Sequence, residues 1–400
     1  MKKLIVLIFA LVVVLSLVAC DRSNNSNQNT PPPVNNGTGS GNVSGTPTPT
    51  PPAVATVEVS VSNETQLREA VSTAGNTPTI ITLTANIELI SDFIIPSDAE
   101  ITLKSSGTNI FNLTSTRDMN TITIDGATLT IDGIRVTSAA NTIGMGVQLR
   151  SGTFIFNSGE ITGNRGNSAR GTYAGGVNTW GGGTFIMNGG RISGNFGGGT
   201  NPSPGGVQTS GAFTMNGGEI TGNTGTHENL FGGIQTGGTF TMNGGSIHGN
   251  TGEGVRSRGT FIMNDGSIHD NRFGVFAENT FTMYGGTISN NSNGGVHVHG
   301  GTFTMNDGAI SNNGGTGVTN GGSWTTFIMN GGTISGNTSQ HRNGGGGIFI
   351  NSGTTFTMNG GWVFDNIANT DSDLHLQSNA TFNNNVFDVS VGAIGTRPPR

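Results

Sequence analysis

Six side chains that could bind a ligand or do chemistry recur at matching places in three successive repeats of the sequence. Each lies one or three positions after a valine, and they are Arg256, Arg258, Phe276, Glu278, His297 and His299. Guanidinium groups pair with carboxylates and phosphates, and an aromatic ring offers a flat face to a ligand ring. If the repeats stack as neighbouring strands, Glu278 lies between Arg258 and His299, ~5 Å from each. The six therefore form a candidate ligand-binding groove, with a ladder of weak surface ion pairs as the alternative.

The same stretch offers few acids for carbohydrate chemistry. Glycoside hydrolysis normally needs two carboxylates roughly 5–10 Å apart, and the groove supplies Glu278, with Glu253 in a nearby loop as a distant second. Asp265 and Asp307 replace glycines at another corner of the repeat. The sequence contains no Ser-His-Asp set, phosphate-binding glycine loop or zinc-spaced Cys/His group. We expect no catalytic residue and no cofactor.

Two further groups are expected to be ordinary surface. His248 and His269 lie one repeat apart, and two histidines alone make a poor metal site. Asp371 and Asp373 are separated from any base and are expected to finish the last loop. We therefore predict no metal ion.

The groove residues belong to a repeat of about 20 to 31 residues, which is typical of a solenoid. A Phe marks each copy, a Met follows two residues later in all but the first copy, and an Ile or Val lies seven residues after the Phe. Apolar residues two apart indicate a strand with one buried face. The marker residues are Phe154, Phe185, Phe213, Phe240, Phe261, Phe281, Phe303, Phe327 and Phe356. Glycine-rich turns separate the strands, and an Asn lies ten residues after each Phe, where it can hydrogen-bond along the axis.

A third short strand precedes each Phe, so three strands per coil predict an all-β, right-handed parallel β-helix over 57–392, with a tail over 393–400. Roughly thirteen coils are expected. Near the N-terminus, 62–76 carries the signals of a capping helix: Asn63 as N-cap, Gln66 three residues later and Gly75 as a stop. An end coil has no neighbour to cover its core, and such a helix supplies the cover.

Variation in length is concentrated at one corner of the coil. Between Asn250 and Val318, each connection from the corner Asn to the next valine takes five residues or fewer, whereas those on either side take 8 to 13. Short loops between longer ones predict a saddle whose floor is the candidate groove. Tyr173, Trp180 and Phe231 in the longer loops are expected to be exposed and to offer a second contact surface.

The helix cover, the three-strand coils and the Asn-marked turn resemble the right-handed parallel β-helix superfamily of pectate lyases and related carbohydrate-active and adhesive proteins. The resemblance covers about 57–392 and carries no residue-by-residue assignment. It implies that the strand bearing the groove, with its preceding loops, is where family members hold their sites.

The N-terminal segment has the pattern of an export signal. Lys2 and Lys3 precede an apolar run too short to span a membrane in the mature protein, and "LVAC" ends at Cys20, the single cysteine. This resembles the lipobox of bacterial lipoproteins, in which the cysteine is lipidated, and an ordinary secretory signal over 1–20 is the alternative. Residues 21–56 hold seven of the thirteen prolines and few apolar side chains, which predicts a disordered tether.

The composition limits the classes of molecule that the protein is expected to bind. Charged residues make up 10% of the chain and the basic ones form no cluster, so we exclude nucleic acid. We predict an exported monomer, anchored by lipid on Cys20 to the bacterial cell membrane or outer membrane, that binds a polysaccharide or another cell-surface ligand without catalysis. A divergent polysaccharide lyase or hydrolase and a purely structural envelope spacer remain alternatives.

Overall fold

The chain forms a parallel β-solenoid of about 12 turns with one short α-helix. It is known from a computed structural model, which describes residues 55–166, 173–199, 202–226, 231–322, 324–340, 344–386 and 392–395. The predicted all-β class with parallel coils is confirmed, and the number of turns is close to the thirteen expected. The predicted signal segment over 1–20, including Cys20, and nearly all of the predicted tether lie outside the described residues.

Each coil contributes one strand to each of three stacks, and every strand pairs in parallel with its equivalent in the next coil. The Phe stack contains Val57–Val61, Thr79–Leu83, Glu100–Ser105, Thr184–Met187, Ala212–Met215, Thr239–Met242, Thr260–Met263, Phe281–Met283, Thr302–Met305, Thr326–Met329, Thr355–Met358 and Thr381–Asn384. The Ile stack contains Ile87–Leu89, Asn112–Ser115, Arg191–Ser193, Glu219–Thr221, Ser246–His248, Ser267–His269, Thr287–Ser289, Ala309–Ser311, Thr333–Ser335, Gly361–Phe364 and Gly392–Ile394. The Val stack contains Ile94–Ile95, Val177–Thr179, Val207–Thr209, Ile234–Thr236, Glu253–Ser257, Phe273–Ala277, Gly294–Val298, Val318–Asn320, Ile348–Ile350 and Leu374–Leu376.

Two long strands, Ile122–Ser138 and Val147–Thr162, bend through a whole coil and contribute to all three stacks. A separate pair, Thr338–Ser339 with Ile367–Ala368, lies outside the stacks.

The interior is a set of side-chain columns that run along the axis. Consecutive rings of the Phe column from Phe154 to Phe356 lie 4.5–5.0 Å apart and within 13° of parallel. These rings are buried, as are the Met and Ile columns beside them. Each buried ring contributes about 1.5–3 kcal/mol. The predicted stacking of Phe240, Phe261 and Phe281 is confirmed.

A buried ladder of asparagines closes one corner of the coils. Its members are Asn164, Asn195, Asn223, Asn250, Asn271, Asn291, Asn313, Asn337 and Asn366. Each Nδ2 donates to Oδ1 of the next member at 2.8–3.2 Å. The ladder ends where Asn366 Nδ2 donates to Asp373 Oδ1 at 2.9 Å. Asp373 suits this last place, because an ionised carboxylate accepts hydrogen bonds and donates none.

The residue before the ladder Asn has a left-handed backbone, which explains a sequence preference at that corner. Gly222 and Gly249 have φ of 62° and 61°, and Asp270, Asn290 and Asn312 have φ of 54–55°. Glycine adopts this conformation without a steric cost, and Asn and Asp are the side chains that tolerate it best.

The predicted capping helix is present as Glu64–Ala74. Asn63 is the N-cap and its Oδ1 accepts from Gln66 N at 3.0 Å. The helix buries Leu67, Ala70, Val71 and Ala74 against the first coils. These apolar residues recur every three or four positions, which puts them on one face of the helix.

Candidate ligand-binding face

All six predicted groove residues lie on the outward side of the Val stack, which we call the binding face. Inward Val255, Val275 and Val296 pair in register and are buried, so the alternating residues after them point away from the core. Arg256, Phe276 and His297 are register partners of one another in three successive coils. Thr319 and Phe349 continue the same row.

Arg256 is held on every side by its neighbours. Its Nε donates to Glu278 Oε1 at 2.7 Å, and its Nη1 lies 3.2 Å from Glu253 Oε1. The guanidinium carbon lies 4.2 Å from the ring centre of Phe276 and 4.7 Å from that of Phe231. Its side chain is 15% exposed, each of its three nitrogens contacts a carboxylate, and the guanidinium lies against two aromatic rings. Arg256 therefore stiffens the binding face and has little left to offer a ligand.

Glu253 and Phe231 differ from the sequence expectation. Glu253 begins the strand Glu253–Ser257 and is buried, with Oε2 accepting from Phe231 N at 2.6 Å. Phe231 is 3% exposed, so its prediction as an exposed loop aromatic was wrong. Its position is fixed by Arg256, which belongs to a different coil. The spacing of the repeats could not reveal that contact, because Phe231 lies in a loop outside the repeated strands.

Arg258 is the more accessible cation. Its Nε lies 3.4 Å from Glu278 Oε2, and half of its side chain is exposed. Glu278 thus binds both arginines. The predicted proximity of Glu278 to Arg258 is present, while His299 turns toward the rings of Phe276 and His297, 5.6 and 6.1 Å away between centres.

His297 lies flat on Phe276, with ring centres 4.8 Å apart and planes within 6°. Burial is the main cause that lowers the pKa of His297 to about 4, and the neighbouring His299 and Arg256 also lower it. At neutral pH the imidazole is therefore uncharged, and its second face is directed toward Thr319 of the next coil.

A cavity of about 640 Å³ opens on this side of His297. Its lining includes His297, Thr319 and Phe349 on the floor, Phe273 at one side and Gln340 at the other. The predicted saddle lay between Asn250 and Val318, and this cavity starts within that stretch and extends past it to Phe349. The sequence reasoning missed Phe349, although its place directly after the inward Ile348 was a usable signal.

A smaller notch of about 120 Å³ lies at the other end of the binding face, between Trp180 and Arg258. Gln235 lines it and is 6% exposed, and its Oε1 has no hydrogen-bond partner among the described residues. A buried amide oxygen without a partner is costly. Trp180 is half exposed, as predicted.

The histidine pair on the Ile stack is separate from this face. The rings of His248 and His269 stack at 4.8 Å, and His269 Nδ1 lies 2.7 Å from Asp270 Oδ2. Burial lowers the pKa of His248, and the neighbouring His269 is the second cause of this shift. Within the described ranges, no group of three or more His, Cys, Asp or Glu residues is arranged to hold a metal ion.

The fold places the chain among the parallel β-solenoid proteins. No family model, curated protein or solved structure matches it. In the part of the chain that the structure describes, no helix is both long and apolar enough to cross a membrane.

Proposed function

We propose that this protein is a non-catalytic binding protein of the bacterial cell surface or envelope, and that its ligand is a glycan held on the binding face. The observation that carries the proposal is the large cavity between His297 and Phe349, with the notch at Arg258 on the same face. Ligand sites combine aromatic walls with a few polar groups in this way.

The chemistry of the face favours a sugar. His297 and Phe349 line the cavity and present ring faces, which suit the C–H faces of a sugar ring. Thr319 and Gln340 supply hydroxyl and amide groups that exchange hydrogen bonds with sugar hydroxyls. Arg258 adds one accessible guanidinium, which would pair with the carboxylate of an acidic sugar.

Catalysis is the less favoured alternative. Hydrolysis needs one carboxylic acid that donates a proton and a second carboxylate that acts as base or nucleophile. The carboxylates of Glu253 and Glu278 both bind Arg256. A carboxylate bonded to a guanidinium is poorly suited to deliver a proton. This arrangement supports binding without turnover.

The same proposal includes a membrane-anchored location for the protein and right-handed coils for its solenoid. The lipobox-like "LVAC" and the proline-rich 21–56 support a lipid anchor on Cys20 with a tether that holds the solenoid away from the membrane. The sequence resemblance to pectate-lyase-like proteins supports right-handed coils and a carbohydrate ligand.

Replacing Cys20 by Ser should move the protein from the membrane fraction to the soluble fraction and abolish palmitate incorporation. Unchanged membrane association would contradict the anchor.

Immobilised polysaccharides test the ligand. The purified solenoid is passed over polygalacturonate, hyaluronan, xylan and dextran, and the eluates are assayed for reducing ends and unsaturated products. We expect retention on at least one polymer without product formation, and weaker retention on acidic polymers for Arg258→Ala. Product formation would establish the enzyme alternative. Absence of retention on all four would favour the structural spacer.

A further inference from the structure

A stack of flat groups runs along the binding face through successive coils. The Arg256 guanidinium lies between Phe231 and Phe276, and His297 stacks on the far side of Phe276. Further along the same row, Phe349 and His375 stack with ring centres 5.2 Å apart and planes within 9°. Ring centres this close, with planes this nearly parallel, mean that each pair meets face to face.

One position in this row holds no flat group. The strand register runs from His297 to Thr319 to Phe349, so Thr319 occupies the coil between the two stacked pairs. Threonine is short, and the space above it belongs to the 640 Å³ cavity. At about 4.8 Å per strand, the strands that carry His297 and Phe349 lie ~10 Å apart, with one strand spacing on either side of Thr319. A ring inserted midway would lie ~5 Å from each, within the normal range of stacked rings.

The rim of the gap is polar. Thr319 supplies a hydroxyl at the floor, and Ser292, Asn293 and Gln340 line the cavity beside it. Asn293 and Gln340 are exposed, so their amide groups can reorient toward a ligand. Because burial lowers the pKa of His297 to about 4, its imidazole presents an uncharged face at neutral pH. A ligand that fits these surroundings has two apolar faces and an edge of hydroxyl groups.

We propose that this gap is a subsite in which one pyranose ring of the glycan lies sandwiched between His297 and Phe349, above Thr319. The proposal rests on the function proposed above and names the place and orientation of one sugar unit. The ring faces contact the two side-chain rings through C–H groups, and the hydroxyls point to Thr319 and the polar rim. Arg258, several coils away, lies outside this subsite.

Filling the gap with protein is the direct test. Thr319→Phe would continue the row of rings and exclude the sugar, whereas Thr319→Ala leaves the gap open. Thr304→Phe is the matched control, because Thr304 is also a half-buried, outward threonine but belongs to the Phe stack. Affinity for the polymer retained by the wild type should fall at least tenfold in Thr319→Phe, fall about fivefold or less in Thr319→Ala, which loses one hydroxyl contact, and stay within twofold in Thr304→Phe. Equal affinity in Thr319→Phe and wild type would overturn the subsite while leaving glycan binding intact.

A second measurement does not depend on the polymer. Saturation-transfer NMR with galacturonate, glucuronate, galactose and N-acetylglucosamine reports which ligand protons touch the protein. We expect at least one sugar to receive saturation on protons of both ring faces. The signal should disappear in Thr319→Phe but not in Thr304→Phe. Transfer to one face only, or to none of the four sugars, would overturn the sandwich. If Thr319→Phe is still retained on the polymer and Arg258→Ala is not, the result would support glycan binding by this face but not the subsite above Thr319.

Discussion

Arg256 and Arg258 are two residues apart in the sequence, yet their surroundings assign them different roles. Arg256 is enclosed by two carboxylates and two rings, and the side chain of Glu253 beside it is 2% exposed. Arg258 has one long contact and is half exposed. Stability should therefore depend on the first residue and ligand binding on the second.

Arg256→Ala should lower the free energy of unfolding by about 3 kcal/mol, because it leaves the buried Glu253 carboxylate without its cation. Arg258→Ala, the matched control, should cost less than about 1 kcal/mol, as expected for an exposed pair. Urea denaturation of the two variants measures the difference. Equal losses would show that Arg256 is not a structural contact.

His297 should make stability depend on pH. Its pKa is about 4 in the folded protein and near 6.5 when exposed, so the unfolded chain binds the proton more readily. Stability is then fully present above about pH 6.5 and falls as pH drops toward 4, by up to ~3 kcal/mol. His297→Gln, which cannot titrate, corrects for the acidic groups. Parallel stability curves for wild type and variant between pH 7 and 4 would contradict the low pKa.

At the scale of elements, two asparagine ladders run along the solenoid and differ in burial. The ladder through Asn291 is buried, and Asn291 Oδ1 accepts from both the backbone N and Nδ2 of Asn271. The other runs over the surface, where Asn243 Nδ2 donates to Asn216 Oδ1 at 2.8 Å and Asn243 Oδ1 accepts from Asn264 Nδ2 at 2.7 Å. Water can replace the partners of the second ladder but not of the first.

Asn291→Ala should therefore cost at least about 3 kcal/mol, since it leaves several buried donors and acceptors of neighbouring coils unpaired. Asn243→Ala makes the same chemical change on the surface ladder and should cost less than about 0.5 kcal/mol. Thermal or denaturant unfolding measures both. A similar small loss in the two variants would mean that the buried ladder contributes little beyond its packing.

At the scale of the molecule, each coil contacts only its neighbours, so coils should be removable in whole units. Deleting 185–212 joins Thr184 to Phe213 and removes one complete coil, far from the cavity. We expect a folded protein whose urea m-value is lower by about a tenth, because less surface is exposed on unfolding. Deleting 185–198, half of that coil, puts the stacks out of phase and should destroy cooperative unfolding. A cooperative transition in the half-coil deletion would contradict the requirement for register.

The sequence by itself determined the columns of the solenoid. Phe240, Ile247 and Asn250 recur at fixed offsets because each must match its equivalent one coil away, and a constraint repeated in every coil is visible as periodicity. The capping helix was readable for a similar reason, since its cap and apolar face are local in sequence. The outward placement of Arg256, Phe276 and His297 followed from the two-residue alternation of strands.

Only the tertiary structure decided which outward side chains meet. The contact of Phe231 and Glu253 with Arg256 depends on the path of a loop that lies outside the repeated strands, so the period of the repeat does not predict it. The cavity likewise depends on the position of Gln340 relative to His297, Thr319 and Phe349 on its floor. Repetition fixes the interior because the columns must be continuous, whereas the exterior is free to differ from coil to coil, and the candidate site lies on the exterior.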